Sequence, residues 1–442
     1  MEINTGSGRQ LVDDQSVDPG HLLVIAYHYP PDNTSTGVLR TWKFTQYLCD
    51  LGWQSRVVSV PVERYRNIDY ASLDSLPPEI TVARTAAVDL KEVLSVRGVY
   101  PGLLCIPDRF WPWYFSAMRY IRNNIAAEEV DAIYATYPVS TALLIAASAK
   151  RLLGRPLVID FRDPWVESSL GPLRMAIESR MERRVIALAD RVICNTPAMR
   201  RSFLVRYPQF NESKFVTITN GYDEPDFADI KPHHEPGFEI IHPGLIDTEN
   251  RDPGPLLEAV ARALEKGWLK RTDLRIRFLG TGPYGSSPVF RNSLKALGLE
   301  NMVSVVERRI PYREALCHAA GADVLVVLSE PIGSDPQSMA VKEWSAMQVP
   351  AKVYEYLRIG RPLLALVSGG AVREVIDEVG AGETVSPRDI DAIAAALRRL
   401  YEERIPAPAN LPAPDEVVAR YDRRRLSIQL AQTLDEMARL SG

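Results

Sequence analysis

The chain predicts two successive doubly wound α/β domains, and three observations carry that expectation. Short apolar runs of strand length alternate with longer amphipathic segments, the rhythm of βαβ units and parallel sheets. The alternation stops once, in an acidic, Pro- and His-rich stretch at 226–237, and then resumes. A length of 442 residues suits two domains, each large enough to bury its own core.

The elements follow in order. Residues 1–20 are polar, lack the apolar centre of a signal peptide and read as a mobile tail. HLLVIAYHYPP (21–31) begins as a buried strand and ends in a Pro-rich turn. The loop DNTSTG leads into a helix through VLRTWKFTQYLCDLG, and SRVVSV (55–60) is the next strand. DAIYAT (131–136), PLVIDF (156–161) and RVICNT (191–196) are further strands, separated by helices through VSTALLIAASAKRLLG and RMAIESRMERRVIALA. KFVTITNGYD (214–223) closes the first half on an Asn-Gly turn signal. In the second half FEIIHPG, LRIRFLG (274–280), MVSVVE, ADVLVVLS and PLLALV are strands. VVARYDRRRLSIQLAQTLDEMARL is a long amphipathic helix at the end. The insert EPIGSDPQSMAVKEWSAMQ (330–348) is long and polar and reads as a mobile loop able to close over a ligand. The expected organisation is a tail (1–20), a first domain (21–225), a linker (226–237), a second domain (238–415) and a closing helix (416–442).

Composition narrows the function. With 46% hydrophobic and 24% charged residues the chain is an ordinary globular protein. A net charge of −4 supplies no basic balance for nucleic acid. The four cysteines, Cys49, Cys105, Cys194 and Cys317, form no CxxC and no zinc spacing, which points to structural thiols in a reducing, cytoplasmic compartment. The longest membrane-like run, TALLIAASA (141–149), is too short to span a bilayer. The single Asp-x-Asp, Asp389 to Asp391, follows Ser386-Pro387 and reads as a helix start, so no metal site is expected. Aromatics at 107–124 and the dense arginines of 174–206 fit either a packed aromatic helix with a charged outer face or a lipid interface.

Two segments carry candidate chemistry. In VPAKVYEYLRIGRPLLALV (349–367), Pro350 suits a first helical turn, Gly360 a left-handed helix end, and LLALV a buried strand. Lys352 and Glu355 share one face near the helix N-terminus, where orphan N–H groups and the macrodipole attract an anion such as a diphosphate. An ordinary surface ion pair explains the same two residues. GTGPYG (280–285) follows a strand, with Glu307 ending the next, which matches a dinucleotide fingerprint and a nicotinamide oxidoreductase. Pro283 makes a poor helix start there, and the motif does not lie at a domain's first crossover.

Taken in order, YHYPPDNTSTGVLRTWKFTQYLCDLGW, DFRDPW, TNGYD, HPGLIDTENRDPGPLLEA and VPAKVYEYLRIGRP resemble retaining glycosyltransferases of the GT-B fold, family four (group 1), of the polysaccharide-building type. The resemblance runs from about residue 20 to 442. It implies two Rossmann-like domains facing a cleft, with the final helix packed back on the first. It also implies a nucleotide-sugar donor, a glycan or lipid-linked acceptor, no metal or resident cofactor, and work at the inner face of a membrane. The donor-side residues would be Gly37, Gly244, Arg251, Arg309, Ser329, Pro350, Lys352 and Glu355. The acceptor side would hold Arg40 and Asp163, and the catalytic set would be Asp163, Arg251, Lys352 and Glu355. The chain departs from the family in three places: Asp163 replaces a common histidine, Leu245 a common arginine, and Met347 the first carboxylate of the E-x7-E motif. Those departures also raise a third possibility, a degenerate binding protein.

Overall fold

The computed structural model describes residues 19–34, 37–95, 102–166, 171–330 and 336–441. The tail expected over 1–20 lies, except for its last two residues, outside them.

The first half holds β1 (Gly20–Ile25), α1 (Gly37–Asp50), β2 (Trp53–Ser59), α2 (Ala71–Asp74), β3 (Ile80–Arg84), α3 (Leu90–Leu94) and α4 (Trp113–Asn124). It continues with β4 (Ala132–Thr136), α5 (Ser140–Leu153), β5 (Leu157–Phe161), α6 (Pro172–Leu188), β6 (Arg191–Cys194), α7 (Pro197–Arg206) and β7 (Phe215–Thr217). These strands form a parallel seven-stranded sheet in the order β3-β2-β1-β4-β5-β6-β7. Every residue of β4 and β5 is buried, because helices cover both faces of a parallel sheet.

The second half begins with β8 (Phe238–Pro243), α8 (Gly254–Glu265), β9 (Leu274–Leu279), α9 (Pro288–Ala296), β10 (Val303–Val306) and α10 (Tyr312–Gly321). Then come β11 (Val324–Leu328), α11 (Pro336–Ser345), α12 (Ala351–Ile359), β12 (Leu363–Leu366), α13 (Ala371–Val379), β13 (Gly382–Val385) and α14 (Ile390–Glu402). Its six strands are parallel in the order β10-β9-β8-β11-β12-β13. In both sheets the chain order reverses beside the first strand, between β1 and β4 and between β8 and β11. The crevices at those switch points, at the carboxyl ends of the strands, are where such sheets bind ligands.

Two short pieces close the chain, α15 (Glu416–Ala419) and α16 (Arg423–Ser441). Leu426, Leu430, Leu434 and Met437 of α16 pack with Leu22, Val24, Phe44 and Trp53 of the first sheet's layer. The Trp53 indole donates to Asp435 at 3.1 Å. At the crossing the TNGYD turn meets the returning chain: Tyr222 N donates to Tyr421 O at 3.1 Å and Arg423 N to Tyr222 O at 2.9 Å. A Cβ on Gly221 would overlap the Tyr421 carbonyl, so this contact of two backbones needs glycine. Asp223 is fully buried, held by Lys43 Nζ at 2.7 Å and the Tyr47 hydroxyl.

One expectation is corrected, and the reading of Pro283 as a poor helix start is met. The polar insert is not a loop throughout: residues 336–345 form α11, while 331–335 lie outside the described residues. GTGPYG does not open a long helix. Gly280 and Thr281 N–H groups donate to Val306 O at 2.7 and 3.1 Å, and Gly282 N to Glu307 O at 3.1 Å. A short 3-10 turn follows, and Glu307 accepts from Ser286 Oγ at 2.8 Å. With the turn's amides spent on β10, the loop has lost the donors a dinucleotide phosphate requires.

Candidate active site

Of the residues expected on the donor side, Gly244, Arg251, Pro350, Lys352 and Glu355 gather at α12, whereas Gly37, Arg309 and Ser329 lie apart from it. Pro350 precedes the helix with φ −55° and ψ 138°, one residue earlier than a first-turn proline; the helix start has no side-chain cap, and Val353 N donates to Pro350 O at 2.9 Å. Gly360 ends the helix in the left-handed conformation, φ 74°. Lys352 lies on the first turn, and its Nζ donates to Pro243 O at 3.2 Å, where β8 ends. An ideal Cβ on Gly244 would stand 2.7 Å from that ammonium, and the residue has φ 140°. Gly244 is therefore required twice, by backbone conformation and by the approach of Lys352.

The loop after Gly244 folds on Asp247, whose carboxylate accepts the N–H groups of Glu249, Asn250 and Arg251 at 2.9, 2.6 and 3.1 Å. This turns Arg251 back toward the helix N-terminus, where it pairs with Asp247 at 3.2 Å and stays half-exposed. Burial lowers Lys352 to a pKa of about 8, and Arg251 pushes the same way while Glu355 opposes. His242, at the end of β8, sits just behind. Burial and the Lys352 charge hold it down at about 3, so it is neutral and donates from Nδ1 to Val326 O at 2.9 Å.

Glu355, one turn along α12, is 7% exposed and accepts the Tyr312 hydroxyl at 3.0 Å. Burial raises its pKa, opposed mainly by Arg423 at the start of α16 and by Tyr312. Arg309 is exposed beyond β10, beside the Gly280 turn. Leu245, where the family commonly has arginine, is 55% exposed at the lip and contributes no charge.

Ser329 ends β11 and lines a cavity of about 210 Å³ with Glu330, Lys342, Ser368 and the Gly369-Gly370 turn. Linear spacing expects the first carboxylate of the motif at position 347 and does not single out Glu330. It stands at the ligand end of β11, yet α11 is inserted between it and Glu355. It accepts Ser368 Oγ at 2.8 Å and pairs with Lys342 at 2.5 Å. Met347, which occupies the expected position of that carboxylate, packs instead against the first domain's core.

Of the two residues expected on the acceptor side, one lies at a strand end and the other is corrected. Asp163 follows the carboxyl end of β5; burial raises its pKa, with Arg162 opposing and Asp160 adding. Arg162 braces this turn, donating to Tyr137 O at 2.6 Å and to the Gly37 carbonyl. Gly37 is thus packed against that guanidinium, with no room for a Cβ. Arg40, expected to meet the acceptor, is 3% exposed and points inward. Its guanidinium grips Asp160 through two bonds of 2.8 and 3.0 Å and also donates to the carbonyls of Ile218 and Thr219. It joins β5 to the end of β7, and no N–H remains for a ligand.

The cysteines form no disulfide. Asp389 caps α14 through Ala392 N at 2.9 Å, and Asp391 pairs with Arg262 and Lys266. Among the described residues no cluster of His, Cys, Asp and Glu is arranged for a metal.

Sequence comparison divides the chain as the fold does: Glycosyltransferase Family 4 matches residues 41–224 and Glycosyl transferases group 1 matches 238–403. The chain belongs to the family-four, group 1 retaining glycosyltransferases. Similar members of known structure confirm the GT-B fold. The HepE protein of Anabaena, crystallised with UDP, shares 17% identity at a TM-score of 0.62, over 94% of this chain and 100% of its own. Sucrose-phosphate synthase of Thermosynechococcus elongatus shares 14% at 0.63, over 95% and 100%. D-inositol 3-phosphate glycosyltransferase of Kineococcus radiotolerans is 26% identical over 241 residues, 50% of this chain. That match spans 51% of the relative's length, about half of the curated protein. Within this glycosyltransferase, the α12 helix end belongs to the group 1 segment, and Asp163, after β5, to the Family 4 segment.

Proposed function

We propose that the protein transfers a sugar from a nucleotide-sugar donor, bound by the second domain, to an acceptor hydroxyl presented by the first, with retention at the anomeric carbon. The observation that carries this reading is the convergence of Lys352, Arg251 and the uncapped N-terminus of α12 at the β8 end. Such a point suits a diphosphate whose charge grows as it leaves. The bond from the anomeric carbon to the diphosphate oxygen breaks, and the acceptor oxygen bonds to that carbon on the same face. The departing diphosphate takes the hydroxyl proton. Glu355 holds the ribose, Gly244 lets the backbone approach the phosphates, and Arg309 and Ser329 border the nucleotide and sugar. Asp163 orients the acceptor hydroxyl. The charge balance is met by side chains and helix end, so the reading invokes no metal. The Anabaena relative was crystallised with UDP and with UDP-glucose, which supports a nucleotide-sugar donor.

Screening nucleotide sugars by thermal shift, then following transfer of a labelled sugar, tests the reading. If no nucleotide sugar raises the melting temperature or is turned over, it fails. Glu355→Gln raises KM for the donor about tenfold or more, whereas Arg251→Ala lowers kcat by about 10–100-fold. Both variants keep the wild-type circular dichroism; full activity in both removes these residues from the site.

A lipid-linked glycan acceptor is the second part of the proposal, with contact at the inner membrane face. On α4 the outward residues are Phe115, Arg119 and Arg122; on α6 they are Leu173, Ile177, Arg180 and Arg184. Phe115 is 64% and Leu173 62% exposed. Both helices run antiparallel to their strands, so the apolar residues lie toward the cleft end and the arginines further back. That arrangement suits shallow insertion with arginine at anionic headgroups. No helix among the described residues is long and apolar enough to cross a membrane. Vesicles containing phosphatidylglycerol should co-sediment the protein more than pure phosphatidylcholine vesicles do. Phe115→Ser with Leu173→Ser should remove that difference; equal binding to both vesicles would count against membrane contact.

A further inference from the structure

The geometry points to Trp344 of the inserted helix α11 as a positioning residue that holds the Asp163 turn of the first domain in register with the donor domain. This rests on the reading of Asp163 as the acceptor-side carboxylate. The argument is a chain of contacts. Trp344 Nε1 donates to Pro164 O at 3.1 Å, one residue beyond Asp163. Three residues on, Met347 O accepts the Thr196 hydroxyl at 2.6 Å, while the Met347 side chain packs on the first domain's core. Thr196 also caps α7 through Met199 N at 3.0 Å, so the bond lands on a rigid helix end.

The same C-terminal part of α11 is fixed on its other side to the second domain. Lys342 pairs with Glu330 at 2.5 Å, Glu330 accepts Ser368 Oγ at 2.8 Å, and Ser368 Oγ meets Ser386 Oγ at 3.0 Å. Ala371 N donates to Ala346 O at 2.8 Å, tying α13 to the same segment. The helix therefore connects the carboxyl ends of β11, β12 and β13 to the turn that carries Asp163. The remaining braces on that turn, Arg162 to Gly37 and Tyr137 and Asn195 to Arg162 O at 3.0 Å, all come from the first domain. Trp344 is the brace that references it to the donor.

The seam also retains unsatisfied groups of opposite kind. Asn195 Oδ1 and Gln348 Nε2, one residue along on either side of the Thr196–Met347 bond, are buried without hydrogen-bond partners among the described residues.

Trp344→Phe tests this, since it keeps an aromatic ring while removing the N–H together with part of the indole, and the Lys342→Met variant separates the lost tie from lost packing. With the wild type shown to transfer, the variant should lose about tenfold in kcat and raise the acceptor KM, with donor affinity unchanged. The acid limb of its pH–rate profile should move to lower pH. Asp163 is raised by burial and is faced by Arg162, Asp160 and Tyr137, so a loosened turn that admits water lowers it. Lys342→Met, which cuts the other anchor, should show the same pattern, and the double variant should be no worse than the poorer single. Wild-type kcat and an unmoved acid limb in Trp344→Phe overturn the inference, as does an equal loss of donor affinity. Absence of transfer by the wild type to any acceptor would instead remove the underlying reading of the site. Melting temperatures within a degree or so of wild type exclude a folding defect.

Discussion

Lys352→Met lowers kcat/KM for the nucleotide sugar by about 10²–10³-fold, the loss expected when one preorganised charge is removed from a leaving group. The same substitution raises the melting temperature. The two effects have one origin. Burial holds the Lys352 ammonium at a pKa of about 8, against 10.5 when free, so the charged form is disfavoured in the donor-free fold. The sign follows from linkage: between pH 8 and 10.5 the unfolded chain binds more protons, so this residue's contribution to stability rises with pH through that window. Below pH 8 the fold carries the full cost. Discounted for the part of the side chain still in contact with water, it is of order 1 kcal/mol. Methionine removes it, which in a chain of 442 residues moves the melting temperature by about 1–2 °C.

Function titrates the other way. The cation is needed, so donor affinity falls as pH climbs past about 8 in the wild type and is flat there in the variant. A bound diphosphate raises the Lys352 pKa, placing the alkaline limb of kcat at higher pH than that of kcat/KM. Calorimetric donor binding from pH 6 to 10, with melting curves of both proteins, checks the whole set. A variant that binds donor like the wild type at pH 7 would place the diphosphate elsewhere.

Arg40→Met loses about 3–5 kcal/mol of stability, the usual consequence of leaving one partner of a buried ion pair uncompensated. Asp160 has 0% exposure and would keep only the Tyr134 hydroxyl at 2.5 Å. The carbonyls of Ile218 and Thr219 would lose their donors as well. Urea denaturation followed by circular dichroism measures the loss. A stable Arg40→Met protein with weakened acceptor binding would restore the ligand-facing role that its place beside the Gly37 loop first implied.

These residues show what could be read in advance. The α12 segment was legible because every cue in it is local: Pro350 before the helix, Gly360 after it, and Lys352 and Glu355 on one face. The strands of both sheets were legible for a related reason, since a strand covered on both faces must be apolar throughout. Arg40 was misplaced because its partners lie 120 to 179 residues away, and a lone arginine beside a glycine loop looks the same whether it faces solvent or core. The place of Glu330 after β11, with α11 between it and Glu355, could not be read from a fixed spacing.

The sequence by itself determined the two doubly wound domains, their order and the α12 segment, because periodicity, punctuation by glycine and proline, and the march of landmarks are properties of neighbouring residues. Only the tertiary structure decided which charges are spent inside and which face the cleft. It alone showed that α11 ties the donor domain to the Asp163 turn, and that the returning α16 closes over the first sheet. Those outcomes depend on burial and on pairs of groups far apart in the chain, whose energies exist only once the backbone has brought them together.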